Sequence, residues 1–250
     1  PLHLGHAYSA MLAYDMARVA NGTFLLRIED IDQSRARPEW EAQIYEDLEW
    51  LGLDWPKPVM RQSERQQAYD KALDALWDQG LLYPCVCSRK DIAAAASAPQ
   101  EGAPMGPDGM IYSGTCRSAD RSGARPDAAL RLDVQRADPT ATDFATDIGD
   151  VVLARRDMGT SYHLSVVVDD AAQGITDVVR GADLEDATPI HQLLQKLLGL
   201  PTPRYHHHKL IRDNAGKRLA KRDDARAISK YRTEGATPND IRRLVGLPQV

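Results

Sequence analysis

Two short stretches at opposite ends of the chain carry the residue types best suited to a phosphate-rich substrate. His3-Leu4-Gly5-His6 stands at the start, and Gly216-Lys217-Arg218-Leu219-Ala220-Lys221-Arg222 lies near the end. A glycine at a helix start lets a nucleotide approach the backbone closely, and two histidines beside it can donate to phosphate oxygens. A loop holding several cations can close over a triphosphate and stabilise the charge that develops there. Between the two, Arg27-Ile28-Glu29-Asp30-Ile31-Asp32 ends an apolar run in a cluster of carboxylates. A carboxylate at a strand end suits an ammonium group. Cys85, Cys87 and Cys116 are the only cysteines; an odd count speaks against a disulfide framework and their clustering suggests a metal. Zinc prefers four ligands, so three thiols leave one to be found. His206-His207-His208 is the weaker metal candidate, because neighbouring side chains of a strand face alternately and converge poorly.

The elements that must position these residues follow an α/β pattern. At 250 residues and 43% hydrophobic composition, the chain can bury a real core, as one large domain or two small ones. It contains no apolar run of about 18 residues or more, and no membrane span is expected. Net charge is −5, which excludes a uniformly basic nucleic-acid binder. The charge is unevenly spread. Glu29 to Asp54 holds nine acidic and two basic residues, whereas Arg204 to Arg232 holds ten basic and three acidic. The basic stretch reads as a solvated face or as a contact for phosphates or RNA.

Gly5 to Val19 reads as a helix stopped by Asn21-Gly22, and Thr23 to Ile28 as a strand. Pro38 opens a helix to Leu51, with Trp40, Ile44, Leu48 and Leu51 as a core stripe. Ser63 is expected to cap a third helix through Gln79. Tyr83 to Arg125, rich in Gly, Pro, Ala and Ser, reads as an insertion with little regular structure. Leu130 to Val134, Val151 to Arg155 and Gly174 to Arg180 read as strands, and Pro189 to Leu198 as an amphipathic helix. Tyr162 to Val168 reads as a helix start or a loop. A short strand is expected after Tyr205 and helix from Ala225.

These strings, taken in order, resemble class I aminoacyl-tRNA synthetases. His3-Leu4-Gly5-His6 is similar to their HIGH motif and Arg218-Leu219-Ala220-Lys221-Arg222 to KMSKS, with Ala220 in place of the serine. Arg27 to Asp32 looks like the RIED string of the glutamyl-tRNA synthetases. Tyr162-His163-Leu164-Ser165 and Gly174-Ile175-Thr176-Asp177-Val178-Val179-Arg180-Gly181-Ala182-Asp183-Leu184 resemble the same family, and the resemblance covers nearly the whole chain. Arg180 to Leu184 and the pattern Cys85-x-Cys87, Tyr112-x3-Cys116 are closest to the branch that acts on queuosine in tRNA(Asp). The resemblance implies a Rossmann-like catalytic domain split by a zinc-bearing insertion. Its parts are expected at 1–82, 83–160, 161–205 and 206–250, the last holding the basic loop and helices. The resemblance also places an F-A-P-S-P-T-G string just ahead of Pro1, and residues upstream are expected.

The same resemblance implies roles. His3, Gly5, His6, Leu219 and Lys221 would bind ATP, with His3, His6 and Lys221 serving the chemistry. Glu29 would hold the α-amino group of L-glutamate, Arg180 its side-chain carboxylate, and Tyr162 would line the pocket. Cys85, Cys87, Tyr112 and Cys116 would hold one Zn2+ per chain, and Mg2+ would accompany ATP. The product would be a glutamyl ester of queuosine in tRNA(Asp), formed through glutamyl-adenylate by a cytoplasmic monomer without membrane contact. Two other readings stand beside it: a truncated glutamyl-tRNA synthetase charging a tRNA 3′ end, and a catalytically silent zinc-containing RNA-binding protein.

Overall fold

Alanine, methionine and leucine dominate the first helix, which the computed structural model places at Leu4–Val19. The structure describes residues 1–96, 105–107, 109–140, 146–211 and 226–249. It forms two units: Pro1–Arg61 with Asp177–Glu185 and Arg204–Val250, and Gln62–Thr176 with Asp186–Pro203. The chain therefore passes between the units four times. No helix among the described residues is long and apolar enough to cross a membrane.

The first unit is built on parallel strand pairs, which require crossovers and so draw helices between them. Arg27–Ile28 pairs with Met60–Arg61, and the helix Pro38–Trp50 lies in the crossover. Asp177–Gly181 pairs in parallel with Arg204–His208, in the register Val178 to Tyr205 and Arg180 to His207. The core gathers Ala7 and Met11 of the first helix, Leu48, Leu51, Leu53 and Trp55, and Ile228 and Ile241 of the two C-terminal helices. Two expectations need correction. The first strand is only Arg27–Ile28, because only these two residues pair with Met60–Arg61; Phe24 and Leu26 pack on this core ahead of the ladder. Trp40 is 45% exposed, since the buried stripe of its helix ends one turn later, at Ile44.

The second unit holds a three-stranded antiparallel sheet, with Leu130–Leu132 between Leu82–Pro84 and Val152–Ala154. The helices Gln66–Asp78, Tyr162–Gln173 and Thr188–Leu198 pack on one another. Ser161 caps the second of these, so the Tyr162 segment is helical throughout. The fully buried Asp169 accepts from Gln62 Nε2 at 3.0 Å, Arg65 Nε at 2.7 Å and the Tyr69 hydroxyl at 2.8 Å. This pull keeps Ser63 from capping the helix. Gln62–Glu64 is a separate 3-10 turn turned toward Asp169, and the helix starts at Gln66 with no side-chain cap. The insertion is more regular than its composition suggests. It contains the helix Arg89–Ala96, started by reciprocal Ser88–Asp91 hydrogen bonds of 2.7 and 3.2 Å, and a hairpin of Met105–Gly106 with Gly109–Met110.

Candidate active site and metal centre

The two N-terminal histidines form a reciprocal cap. The His3 Nδ1 accepts from the Gly5 N–H at 3.0 Å, and the His6 Nδ1 accepts from the His3 N–H at 3.1 Å. An acceptor nitrogen carries no proton, so each neutral ring holds its hydrogen on Nε2. The helix start thereby fixes two imidazoles, 3.8 Å apart, in the tautomer that can donate to an anion. A Cβ at Gly5 would lie 2.9 Å from His3 Cε1, so a larger residue here would displace the His3 ring.

The stretch Lys217 to Arg222, with Leu219 and Lys221, lies outside the described residues. Before it, the strand Arg204–His208 brings His208 against the ring of Tyr8 on the first helix, at 4.9 Å. After it, Ala227 bridges to His3, and the Ile228 N–H donates to the Leu2 carbonyl at 2.9 Å. The described chain ahead of the stretch thus lies beside the first helix at His208, and the described chain after it lies beside His3 at Ala227. Several of its neighbouring cations are engaged by the protein's own acids. Arg204 makes a bidentate pair with Asp177, Arg226 pairs with Glu234, and Arg232 reaches Glu46 at 2.9 Å and Asp47 at 3.7 Å.

Arg180 is buried on the strand Asp177–Gly181. Its Nε donates to His207 Nε2 at 3.3 Å, its Nη2 donates to the Leu184 carbonyl at 3.1 Å, and its Cζ lies 4.7 Å from the centre of the Tyr205 ring. Burial, then the Arg180 charge, hold the His207 imidazole below its ordinary pKa. The three adjacent histidines disperse, as strand alternation requires: His206 bonds Asp177 at 2.8 Å, His207 meets Arg180 and His208 meets Tyr8. Glu29, in the same unit, takes a hydrogen bond from Arg27 Nη2 at 3.2 Å and keeps its side chain 44% exposed. Tyr162 belongs to the other unit, where its ring is edge-on to the buried His163 and His191, themselves joined Nδ1 to Nε2 at 2.9 Å.

The cysteines converge within the second unit. The Sγ atoms of Cys85, Cys87 and Cys116 all lie within 4.8 Å of one another. Thiolates at the usual Zn–S distance of about 2.3 Å around a tetrahedral ion stand about 3.8 Å apart, so the spacing fits. Tyr112 points its hydroxyl into the same space, 3.5 Å from Cys85 Sγ and 3.3 Å from Cys87 Sγ, and takes the Cys116 N–H at 2.9 Å. The Tyr112 hydrogen bond brings the Cys116 thiol down to about 7, while burial raises the Tyr112 phenol. A thiol near neutrality is readily ionised for metal binding. Arg131, buried on the middle strand, donates from Nε to Cys85 Sγ at 3.3 Å and from Nη1 to the Asp150 carbonyl at 2.7 Å. Its Cζ sits 3.8 Å from the Tyr112 ring centre. Asp150 in turn receives the Tyr83 hydroxyl and Arg117 Nε at 2.5 and 2.9 Å.

Residues 1–248 match the family described as tRNA synthetases class I (E and Q), catalytic domain. The chain belongs to this family. As a class I synthetase it has the Rossmann-like catalytic fold, here carrying a cysteine cluster able to bind a metal ion. It is 61% identical to the glutamyl-Q tRNA(Asp) synthetase of Rhodobacter capsulatus, over 99% of this chain and 96% of that protein. It is 43% identical to the protein of the same name from Nocardia farcinica, over 99% of this chain and 82% of the relative. A glutamate tRNA ligase from Elizabethkingia meningosepticum, solved with its amino acid, shares the fold with a TM-score of 0.69 at 24% identity. That likeness covers 98% of this chain, which spans 58% of the ligase's length.

Two further residues of this synthetase domain, His207 and Arg131, gain their partners through strand pairing. His207, a poor metal ligand beside its two neighbours, lies opposite Arg180 only once the two strand segments pair in parallel. Arg131 stands as a lone charge between two leucines in a strand whose three residues are all buried, and that placement alone calls for a partner inside the protein.

Proposed function

We propose that the protein activates L-glutamate with ATP and transfers it to queuosine in tRNA(Asp). The observation that carries this reading is the 61% identity, across 99% of the chain, to a glutamyl-Q tRNA(Asp) synthetase. In the first step, a carboxylate oxygen of glutamate attacks the α-phosphorus of ATP, and pyrophosphate leaves. The Nε2–H groups of His3 and His6 donate to phosphate oxygens as charge moves onto them. Lys221 and Leu219 would complete the nucleotide site from the basic loop, with ATP arriving as its Mg2+ complex. Glu29 takes the substrate ammonium and Arg180 the side-chain carboxylate, a planar fork meeting two oxygens. Tyr162 would line the amino-acid pocket, as the resemblance to the family implies. In the second step, a hydroxyl of the queuosine cyclopentene diol attacks the activated carbonyl, and AMP departs. The mixed anhydride is already activated, so no covalent bond to the enzyme is needed.

The donor set suits zinc, held by Cys85, Cys87, Cys116 and Tyr112. Bound there, zinc supplies a structural cross-link, because four protein ligands leave no open position for water. A cytoplasmic monomer is the form this reading expects. Charging with radiolabelled glutamate tests it. Label should enter tRNA(Asp) that contains queuosine and be absent from tRNA(Asp) that lacks it. Stable labelling of unmodified tRNA(Glu), with none on the modified tRNA(Asp), would overturn the acceptor in favour of a tRNA 3′ end.

A further inference from the structure

We propose that His207 is a positioning residue for glutamate, holding the Arg180 guanidinium in the plane that receives the substrate's side-chain carboxylate. The inference rests on the reading of Arg180 as the carboxylate anchor and deepens it.

The parallel register sets Arg180 opposite His207. Tyr205 and His207, two apart on one strand, share a face, and their rings lie 6.3 Å apart and within 4° of parallel. Arg180 meets both. Its Cζ stacks 4.7 Å from the Tyr205 ring centre, and its Nε donates to His207 Nε2 at 3.3 Å. A second donor, Nη2, is tied to the Leu184 carbonyl at 3.1 Å. One hydrogen bond leaves a guanidinium free to swing about it. Two bonds from different nitrogens, with a ring against the flat face, fix the plane.

The direction of the His207 bond matters. Arg180 can only donate, so His207 Nε2 must be the acceptor and the ring must be neutral, with its hydrogen on Nδ1. A protonated ring would have no acceptor and would place a like charge against Arg180. The depressed pKa of His207 agrees with that requirement.

A fixed fork gives selectivity. Glutamate offers two acceptor oxygens to two donors, whereas glutamine would turn its NH2 donors toward them. If Arg180 can rotate, the pairing with glutamate weakens while the clash with glutamine relaxes. Loosening His207 should therefore cost glutamate affinity and discrimination together.

The test is amino-acid-dependent pyrophosphate exchange by the full chain, with KM and kcat measured separately. His207→Leu should raise KM for glutamate roughly 10- to 100-fold, the range for losing a hydrogen bond to a charged group. It should lower the preference for glutamate over glutamine, with KM for ATP changed less than about 3-fold. His207→Gln, whose Oε1 can accept the same hydrogen, should restore KM for glutamate to within about 5-fold. An equal rise in KM for both substrates, or no rescue by glutamine, would show that His207 is only structural and overturn the proposal. Arg180→Met separates the two layers. If it raises KM for glutamate while His207→Leu does not, the positioning role fails and the anchor stands. If Arg180→Met leaves KM for glutamate unchanged, the anchor fails and the positioning role fails with it.

Discussion

The cysteine cluster and the Arg180 site gather their groups over very different lengths of chain. Cys85 and Cys87 are neighbours at the end of one strand, and Tyr112 and Cys116 return from a single excursion within the same unit. Arg180 instead meets His207 and Tyr205 only because two strands, separated by an excursion into the other unit, pair in parallel. Zinc ligands tolerate short flexible connections because the ion itself supplies the geometry. The carboxylate fork proposed for Arg180 has no such template, so its geometry would come from strand register and from neighbours such as His207. The metal centre should accordingly fail through loss of a ligand, and the amino-acid site through loss of orientation.

Four expected outcomes sharpen that contrast, beginning with the largest. Cys116→Ser should lower zinc content from the proposed one per chain to near zero by elemental analysis and cooperatively lower the thermal midpoint. A variant that keeps one zinc with unchanged stability would remove Cys116 from the ligand set. Arg180→Ala should weaken glutamate by on the order of 2–5 kcal/mol, because it leaves a carboxylate without its partner. Exchange kinetics would show this as a change in KM for glutamate far above that for ATP.

Arg131→Met should weaken zinc by roughly 10- to 100-fold in competition with a chromophoric chelator, the usual range for groups that support metal ligands. A divalent ion with three thiolates carries surplus negative charge, and Arg131 is the buried cation against Cys85 and Tyr112. Unchanged affinity would reduce Arg131 to packing. The smallest effect is expected at Arg232. Burial raises the pKa of Asp47, and the Arg232 charge opposes that rise. A raised folded-state pKa means that the stability Asp47 contributes is fully present below its unfolded value and is lost as pH climbs through the folded one. Arg232→Ala should push the folded value higher and widen that window toward neutrality. Denaturant titrations from pH 4 to 7 that are parallel for variant and parent would contradict this.

What the sequence made legible follows the same division. His3, Gly5 and His6 stand out in the sequence only together with the basic string near its other end, whereas the cap they form is a local structure. The cysteines are legible from their clustering along the chain. The length of the first strand was not, because Phe24 and Leu26 look like strand residues until the helix core they pack on is known. The turn at Gln62–Glu64 depends on Asp169, far along the chain, and Ser63 gave a false cap signal for want of that partner. In the insertion, Ser88 and Asp91 carried a readable helix-start signal that the surrounding Gly, Pro and Ala obscured. His207 and Arg131 share one cause of being missed. Each is defined by a strand pairing, and pairing is what a single sequence leaves open.

The central claim is that Glu29, Arg180 and the His3–His6 helix start make a site that activates glutamate. Pyrophosphate exchange into ATP, measured with glutamate, glutamine and aspartate in turn, tests it most directly. The account predicts exchange with glutamate and little with either alternative, since glutamine lacks the second acceptor oxygen and aspartate falls one methylene short of Arg180. Equal exchange with glutamine and glutamate, or none with glutamate in protein that binds ATP, would contradict it.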